Sequence, residues 1–219
     1  MEMDRKPGVR PWETLEQSAV EDHGVFGFQE IVRRSPRTGR AAAYQVLRVP
    51  SWTNVVARTP AGEVVLIEQY RHGTDSITLE IPGGALDPGE DPAAAAVREL
   101  REETGYTGDP PELLGTVHPN PAIQDNACTT WLIDNARPTS ETALDEGEDI
   151  AVLTVPLDKI PKLLRDGHIT HSLVVAAFHW LELRCHSRGA QSLTPGCGVS
   201  PTPEGGGSGS LSRCGKGQG

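Results

Sequence analysis

Residues 84–106 read GALDPGEDPAAAAVRELREETGY. Pro82, Gly83 and Gly84, at the entrance to this segment, let the backbone turn sharply and come close to a ligand. Asp91 followed by Pro92 has the form of an N-cap with proline at the first helical position. From Ala93 the pattern is helical. At about 100° per residue, Ala93, Ala96, Val97, Leu100 and Thr104 share one face, and Glu99, Glu102 and Glu103 share another. Gly105 then ends the helix as a glycine at C′ does. Three carboxylates at i, i+3 and i+4 repel one another, and Arg98 and Arg101 offset this only in part. Two readings follow. The carboxylates form a solvated charged face, or they converge on hard divalent cations, which take oxygen ligands and, for Mg²⁺, share them with substrate phosphates.

The spacing of the fixed letters separates these readings. Gly84 is followed after five residues by Glu90, then after seven by Arg98-Glu99-Leu100, then after one by Glu102-Glu103, then after one by Gly105-Tyr106. This resembles the Nudix box throughout, without gaps. Tyr106 stands where an aliphatic residue is more usual, but it is bulky and can pack. The resemblance implies a Nudix hydrolase, an enzyme that cleaves a nucleoside diphosphate linked to another group. It also implies an α/β/α sandwich around a mixed sheet, with the box as a loop-helix-loop. The implied ligands of Mg²⁺ or Mn²⁺ are Glu99, Glu103 and the Gly83 carbonyl. Glu102 is implied as a further ligand or a base, and Arg98, paired with Glu90, as the residue that orients it. Gly84 lets the substrate's diphosphate approach the backbone.

Outward from the box, EQYR at 68–71 and LEIPGG at 79–84 are similar to the strand pair that precedes the box in ADP-ribose and nucleoside-sugar pyrophosphatases. The arginine of that phrase touches substrate in those proteins, which maps onto Arg71. Glu80 could reach the metals or pair with a nearby arginine. Pro121, fifteen positions beyond Tyr106 in a rigid His118-Pro119-Asn120-Pro121 loop, matches a subfamily mark for ADP-ribose hydrolysis. The general base of these pyrophosphatases is a glutamate on a loop outside the box. The acidic segment 137–149 offers Glu146 and Glu148, with Glu148 preferred because it directly precedes a returning strand. Trp52, Phe26 and Phe28 are candidates for stacking on a base.

The remaining elements follow from local pattern. Residues 15–34 alternate as short strands, Ser35 to Gly39 is a hairpin turn and Ala41 to Val49 its return. This front region is an ordinary antiparallel sheet closing the core or, by the family resemblance, part of a homodimer. Trp52 to Arg58 and Val64 to Tyr70, with Gly62 between, read as a second hairpin, the latter strand covered on both faces. Leu113 to Val117, Cys128 to Asp134 and Ile150 to Val155 are strands. Pro156 to Leu164 is a short helix weakened by Pro161. A last helix runs from Thr170 or His171 to Leu183, burying Leu173, Ala176, Ala177, Trp180 and Leu181. His168 and His171 near its start are read as capping or surface residues, with a catalytic or metal role as the alternative. The expected organisation is a flexible 1–14, a β-region at 15–50, the Nudix domain at 51–185 and a disordered Gly/Ser/Pro-rich tail at 186–219.

Composition narrows the function further. The 219 residues carry a net charge of −10, which argues against a nucleic-acid polymer as partner. The four cysteines form no CxxC pair, so no zinc site is expected. The N-terminal residues show no apolar signal-peptide core, and the longest apolar run, Leu173 to Leu181, is too short to span a bilayer. A cytoplasmic enzyme acting on a small nucleotide is expected. The alternatives are another Nudix substrate, such as a dinucleoside polyphosphate, coenzyme A or NADH, or a non-catalytic nucleotide sensor. Retention of every box acid weighs against the sensor.

Overall fold

The computed structural model describes residues 8–187. Strands β1 (Glu13–Gln17), β2 (Glu21–Asp22), β3 (Gly27–Arg34) and β4 (Ala41–Arg48) form an N-terminal antiparallel sheet around β3. The expected turn joins β3 to β4: Gly39, at φ 71°, donates its N–H to the Ser35 carbonyl at 2.8 Å. β1 begins inside the segment expected to be flexible, and Trp12 beside it meets Tyr44 edge-to-face at 5.7 Å. The expected tail from 186 onward lies outside the described residues except for 186 and 187.

The next strands are β5 (Trp52–Ala57), β6 (Glu63–Arg71), β7 (Ser76–Glu80) and β8 (Gly83–Ala85), followed by helix α1 (Pro92–Thr104). The hairpin expected from β5 and β6 does not form. Only an Arg58–Val64 bridge joins them, and each strand enters a different sheet. β9 (Tyr106–Thr107) pairs with β12 (Arg137–Pro138) in a small ladder. β10 (Glu112–Val117) and β11 (Cys128–Ile133) extend β5 and β8 into a mixed sheet of order β10-β11-β5-β8, with β11 parallel to β5. β13 (Ile150–Pro156) pairs antiparallel with β6, which also pairs with β7. Sequence spacing proposes sheet neighbours that are close in the chain, whereas β5 finds its parallel partner across more than seventy residues.

β5 and the first half of β6 are buried on both faces, and successive residues pack on opposite sides of the sheet. Val55, Ala57 and Val65 pack with Ala96 and Leu100 of α1. Val56, Val64 and Leu66 pack on the other side, with Ile160 of α2 (Ile160–Arg165) and Val174, Ala177, Phe178 and Leu181 of α3 (Ser172–Ser187). This is the expected α/β/α sandwich. Pro161 does not weaken α2, because a 3-10 turn at Leu157–Lys159 precedes it and the proline falls in the first α-helical turn, where no hydrogen bond is lost.

Two helix faces differ from expectation. α3 buries Val174, Phe178 and Cys185, whereas Ala176 and Trp180 are only half-buried. The Trp180 ring covers β10 at Gly115, where an added Cβ would lie 2.4 Å from it. In α1, Val97 is exposed while Glu99 and Glu103 are buried. The helix turns two carboxylates inward, which an apolar periodicity alone does not foresee. Tyr106 packs against the α1 side of the core. Cys128 and Cys185 are buried free thiols. Among the described residues no helix is long and apolar enough to cross a membrane.

Candidate active site

Local sequence fixes both ends of α1. Asp91 accepts from the N–H groups of Ala93 and Ala94 at 3.0 Å. Gly105, at φ 73°, returns its N–H to the Arg101 carbonyl at 2.8 Å. Held this way, the helix lays Glu99 and Glu103 against β8. The Gly83 N–H donates to Glu103 Oε2 at 2.7 Å. A Cβ on Gly84 would lie 2.5 Å from Glu99 Oε1, so only glycine leaves that carboxylate its place.

The arginine between these acids is densely engaged. Arg98 donates Nε and Nη2 to the two oxygens of Glu90, both at 2.9 Å, and Nη1 to Glu99 at 2.8 Å and Glu102 at 3.1 Å. Its Nη2 also reaches the Ala85 carbonyl at 3.2 Å, which ties the loop to the helix. Glu102 is less buried than its two neighbours and also meets Arg101.

Burial pushes the Glu103 carboxyl up to about 8, and the charges of Glu99 and Glu148 add to this against the Gly83 N–H and Arg71. Burial also raises Glu99, with Arg98 opposing. Glu148 therefore acts electrostatically on both buried acids, although it lies in the exposed 144–149 turn and caps it by accepting from the Asp145 N–H at 3.1 Å. Glu146, on the same turn, is exposed, and no described hydrogen bond or ion pair engages its side chain.

A cavity of about 530 Å³ opens on the Gly83–Gly84 wall. Trp52, Asn54, Arg71, Thr78, Glu80, Thr170 and His171 also line it. Arg71 grips Glu80 with two parallel hydrogen bonds of 2.8 Å, and Thr78 adds a third at 2.7 Å. Burial raises the Glu80 carboxyl, but these bonds and the Arg71 charge outweigh it and hold the group below its ordinary value. Glu80 thus takes the pairing role of the two roles open to it.

Pro121 lies elsewhere. It lines a second cavity of about 540 Å³ with Trp12, Tyr44 and Arg48, where its loop docks on β4 through an Arg48–Asp125 ion pair of 2.7 Å. Phe26, between β2 and β3, and Phe28, on β3, do not line the Gly83–Gly84 cavity. Two further polar residues face that cavity. His171 reads from sequence as a capping or surface residue, and nothing in the 52–58 strand pattern singles out Asn54. Asn54 carried no signal in its surroundings, and its buried Oδ1 has no hydrogen-bond partner.

The fit of a divalent cation can be judged from this donor set. Among the described residues no three acidic, histidine or cysteine side chains are already gathered as a closed metal site. The residues nevertheless suit a hard cation. Two buried carboxylates with raised pKa values lie side by side against the Gly83–Gly84 backbone, and Asn54, whose amide oxygen is orphaned, pairs with Gly83 in the β5–β8 ladder. A cation relieves the repulsion between the acids and takes oxygen ligands of this type.

The family model described as NUDIX domain matches residues 48–178, and the chain belongs to that family. Within it the chain is a pyrophosphatase, of the group resembling the ADP-ribose pyrophosphatases. It is 33% identical over 182 residues to the ADP-sugar pyrophosphatase of Mus musculus, covering 76% of this chain and 79% of that one. It is 29% identical over 147 residues to the ADP-ribose pyrophosphatase of Bacillus subtilis (strain 168), covering 67% and 80%. It is 31% identical over the same length to the methanol dehydrogenase activator of Bacillus methanolicus, again covering 67% and 80%. A crystal structure of an ADP compounds hydrolase shares the fold with a TM-score of 0.73 and 23% identity, covering 83% of this chain and 97% of that one.

Proposed function

We propose that this protein hydrolyses the diphosphate bond of ADP-ribose or a related nucleoside diphosphate sugar, with Mg²⁺ or Mn²⁺, giving a nucleoside monophosphate and a sugar phosphate. The observation that carries this is the pair of buried carboxylates, Glu99 and Glu103, behind the Gly83–Gly84 wall of a cavity that also presents Arg71. The names of the Mus musculus and Bacillus subtilis relatives support the substrate class.

In this reading Glu99, Glu103 and Glu102, with the Gly83 carbonyl, hold the cation. When bound, it neutralises the diphosphate oxygens and makes a water more acidic. Arg98 keeps Glu102 in place and is itself fixed by Glu90. Arg71 takes a phosphate oxygen, its fork aligned by Glu80. Glu148 positions and deprotonates the attacking water, and its charge already reaches Glu99 and Glu103. The leaving sugar phosphate departs without a covalent enzyme intermediate.

The exposed Trp12, Val20, Val25 and Tyr44 favour a second copy of the chain against the N-terminal sheet. Sedimentation equilibrium tests that part: a monomer at micromolar concentration removes it. The reaction is tested with a panel of ADP-ribose, other sugar nucleotides, dinucleoside polyphosphates and NADH, with Mg²⁺ and with Mn²⁺, products being separated by chromatography. Release of AMP and ribose 5-phosphate from ADP-ribose is expected. Turnover confined to dinucleoside polyphosphates or NADH overturns the proposal.

A further inference from the structure

His171 holds the N-cap position of α3. Its carbonyl accepts the first helical bonds, from Val174 and Val175 at 3.0 Å, and its Nδ1 accepts from the Leu173 N–H at 3.3 Å. An acceptor at Nδ1 in a neutral imidazole leaves the proton on Nε2. Burial, together with the Arg71 charge and against that of Glu80, moves this histidine below its ordinary pKa, consistent with the neutral ring. The tautomer is therefore set by the helix, and Nε2–H is a donor on the wall of the Gly83–Gly84 cavity.

Among the described residues that donor has no partner within hydrogen-bond distance. Glu80 Oε2 stands 4.0 Å from it. Glu80 Oε1 already receives Arg71 and Thr78, whereas Oε2 receives only Arg71 Nη2 and keeps a lone pair. A fixed donor and a fixed acceptor thus stand one bridging atom apart. The group that satisfies both is one that accepts and donates at the same oxygen, which is a hydroxyl. Arg71, Thr74, Thr78 and Thr170 line the same cavity, a cation and three hydroxyls that suit a polyol phosphate.

We infer that His171 Nε2–H and Glu80 Oε2 together read one hydroxyl of the sugar phosphate half of the substrate, making His171 a specificity-determining residue. The inference rests on the nucleoside diphosphate sugar reading of the same cavity. A site built to pair with a hydroxyl rejects the analogue that lacks it, because its own buried polar groups are then left unmet.

The test uses the full chain and two probes, ribose 5-phosphate and propyl phosphate, with binding measured by calorimetry and the His171 side chain followed by ¹⁵N NMR. Wild type is expected to prefer ribose 5-phosphate by roughly tenfold or more, with the Nε2–H resonance shifting on binding. His171→Asn keeps a good helix cap but withdraws the ring, so it separates stability from recognition. It is expected to melt as wild type does and to bind the two probes about equally. For hydrolysis of ADP-ribose it is expected to raise KM with little change in kcat. An unmoved resonance, or an undiminished preference in His171→Asn, overturns the inference. A shifted resonance in a protein that cleaves no sugar nucleotide supports the contact while removing the proposed reaction.

Discussion

The backbone N–H of Gly83 donates to Glu103 Oε2 at 2.7 Å, so the residue that opens the box loop is tied to the last acid of the box helix. The bond fixes a carboxylate that burial holds near a pKa of about 8. Glutamine at this position can still accept the Gly83 N–H but cannot bind a cation as a carboxylate does. Glu103→Gln is therefore expected to keep its fold and to lose about two or more powers of ten in kcat with Mg²⁺. Near-full turnover in this variant would remove Glu103 from the site.

The same acid sets a pH dependence of stability in the metal-free protein. Its folded pKa is raised from 4.5 to about 8, so between those values the unfolded chain holds fewer protons than the native one. Stability then falls as pH rises through this window, the reverse of a paired carboxylate. Urea titrations at pH 5 and pH 8 are expected to show this fall for wild type, and a smaller one for Glu103→Gln. Mg²⁺ removes the effect by displacing the proton, so calorimetry at pH 7 in buffers of different ionisation enthalpy should record proton release on binding. Binding with no proton release would contradict the raised value.

Adjacent glycines of the loop predict different failures. A Cβ at Gly83 would lie 2.3 Å from the Thr53 carbonyl oxygen and 2.7 Å from the Asn54 Cα, backbone that cannot step aside. A Cβ at Gly84 would meet only the end of the Glu99 side chain, at 2.5 to 2.8 Å, and that end can move. Gly83→Ala is expected to destabilise the fold by about 1–3 kcal/mol. Gly84→Ala is expected to melt close to wild type while losing most Mg²⁺-dependent activity, because Glu99 is displaced. Thermal melts beside initial rates separate the two, and equal losses of stability would refute the distinction.

What the sequence made legible here was local. Asp91, Pro92 and Gly105 mark α1 because caps and turns act within a few residues. The box spacing made Glu99, Glu102, Glu103 and Arg98 legible together for the same reason. The partnership of β5 with β11 rather than β6 was not legible, since period-two burial says that a strand is covered but not by which neighbour. The inward turn of Glu99 and Glu103 escaped an apolar count because carboxylates score as surface. His171 escaped because its place depends on the β6–β7 pair that brings Arg71 and Glu80 to the start of α3. Pro121 shows the opposite limit: its spacing is legible, but its position is against β4, away from the Gly83–Gly84 wall.

The turn that carries Glu146 and Glu148 supplies the last prediction. Both residues are exposed acids two positions apart, and sequence ranks them only by closeness to β13. The structure distinguishes them by field. Glu148 acts on Glu99, Glu103 and Arg71, whereas Glu146 has no described hydrogen bond or ion pair. A general base must reach the same water that the buried acids serve, so Glu148→Gln is expected to lower kcat by about 10²–10⁴ with KM little changed. Glu146→Gln is expected to stay within about twofold of wild type. If the large loss instead follows Glu146→Gln, the turn reorganises when substrate binds, and the base is the other glutamate.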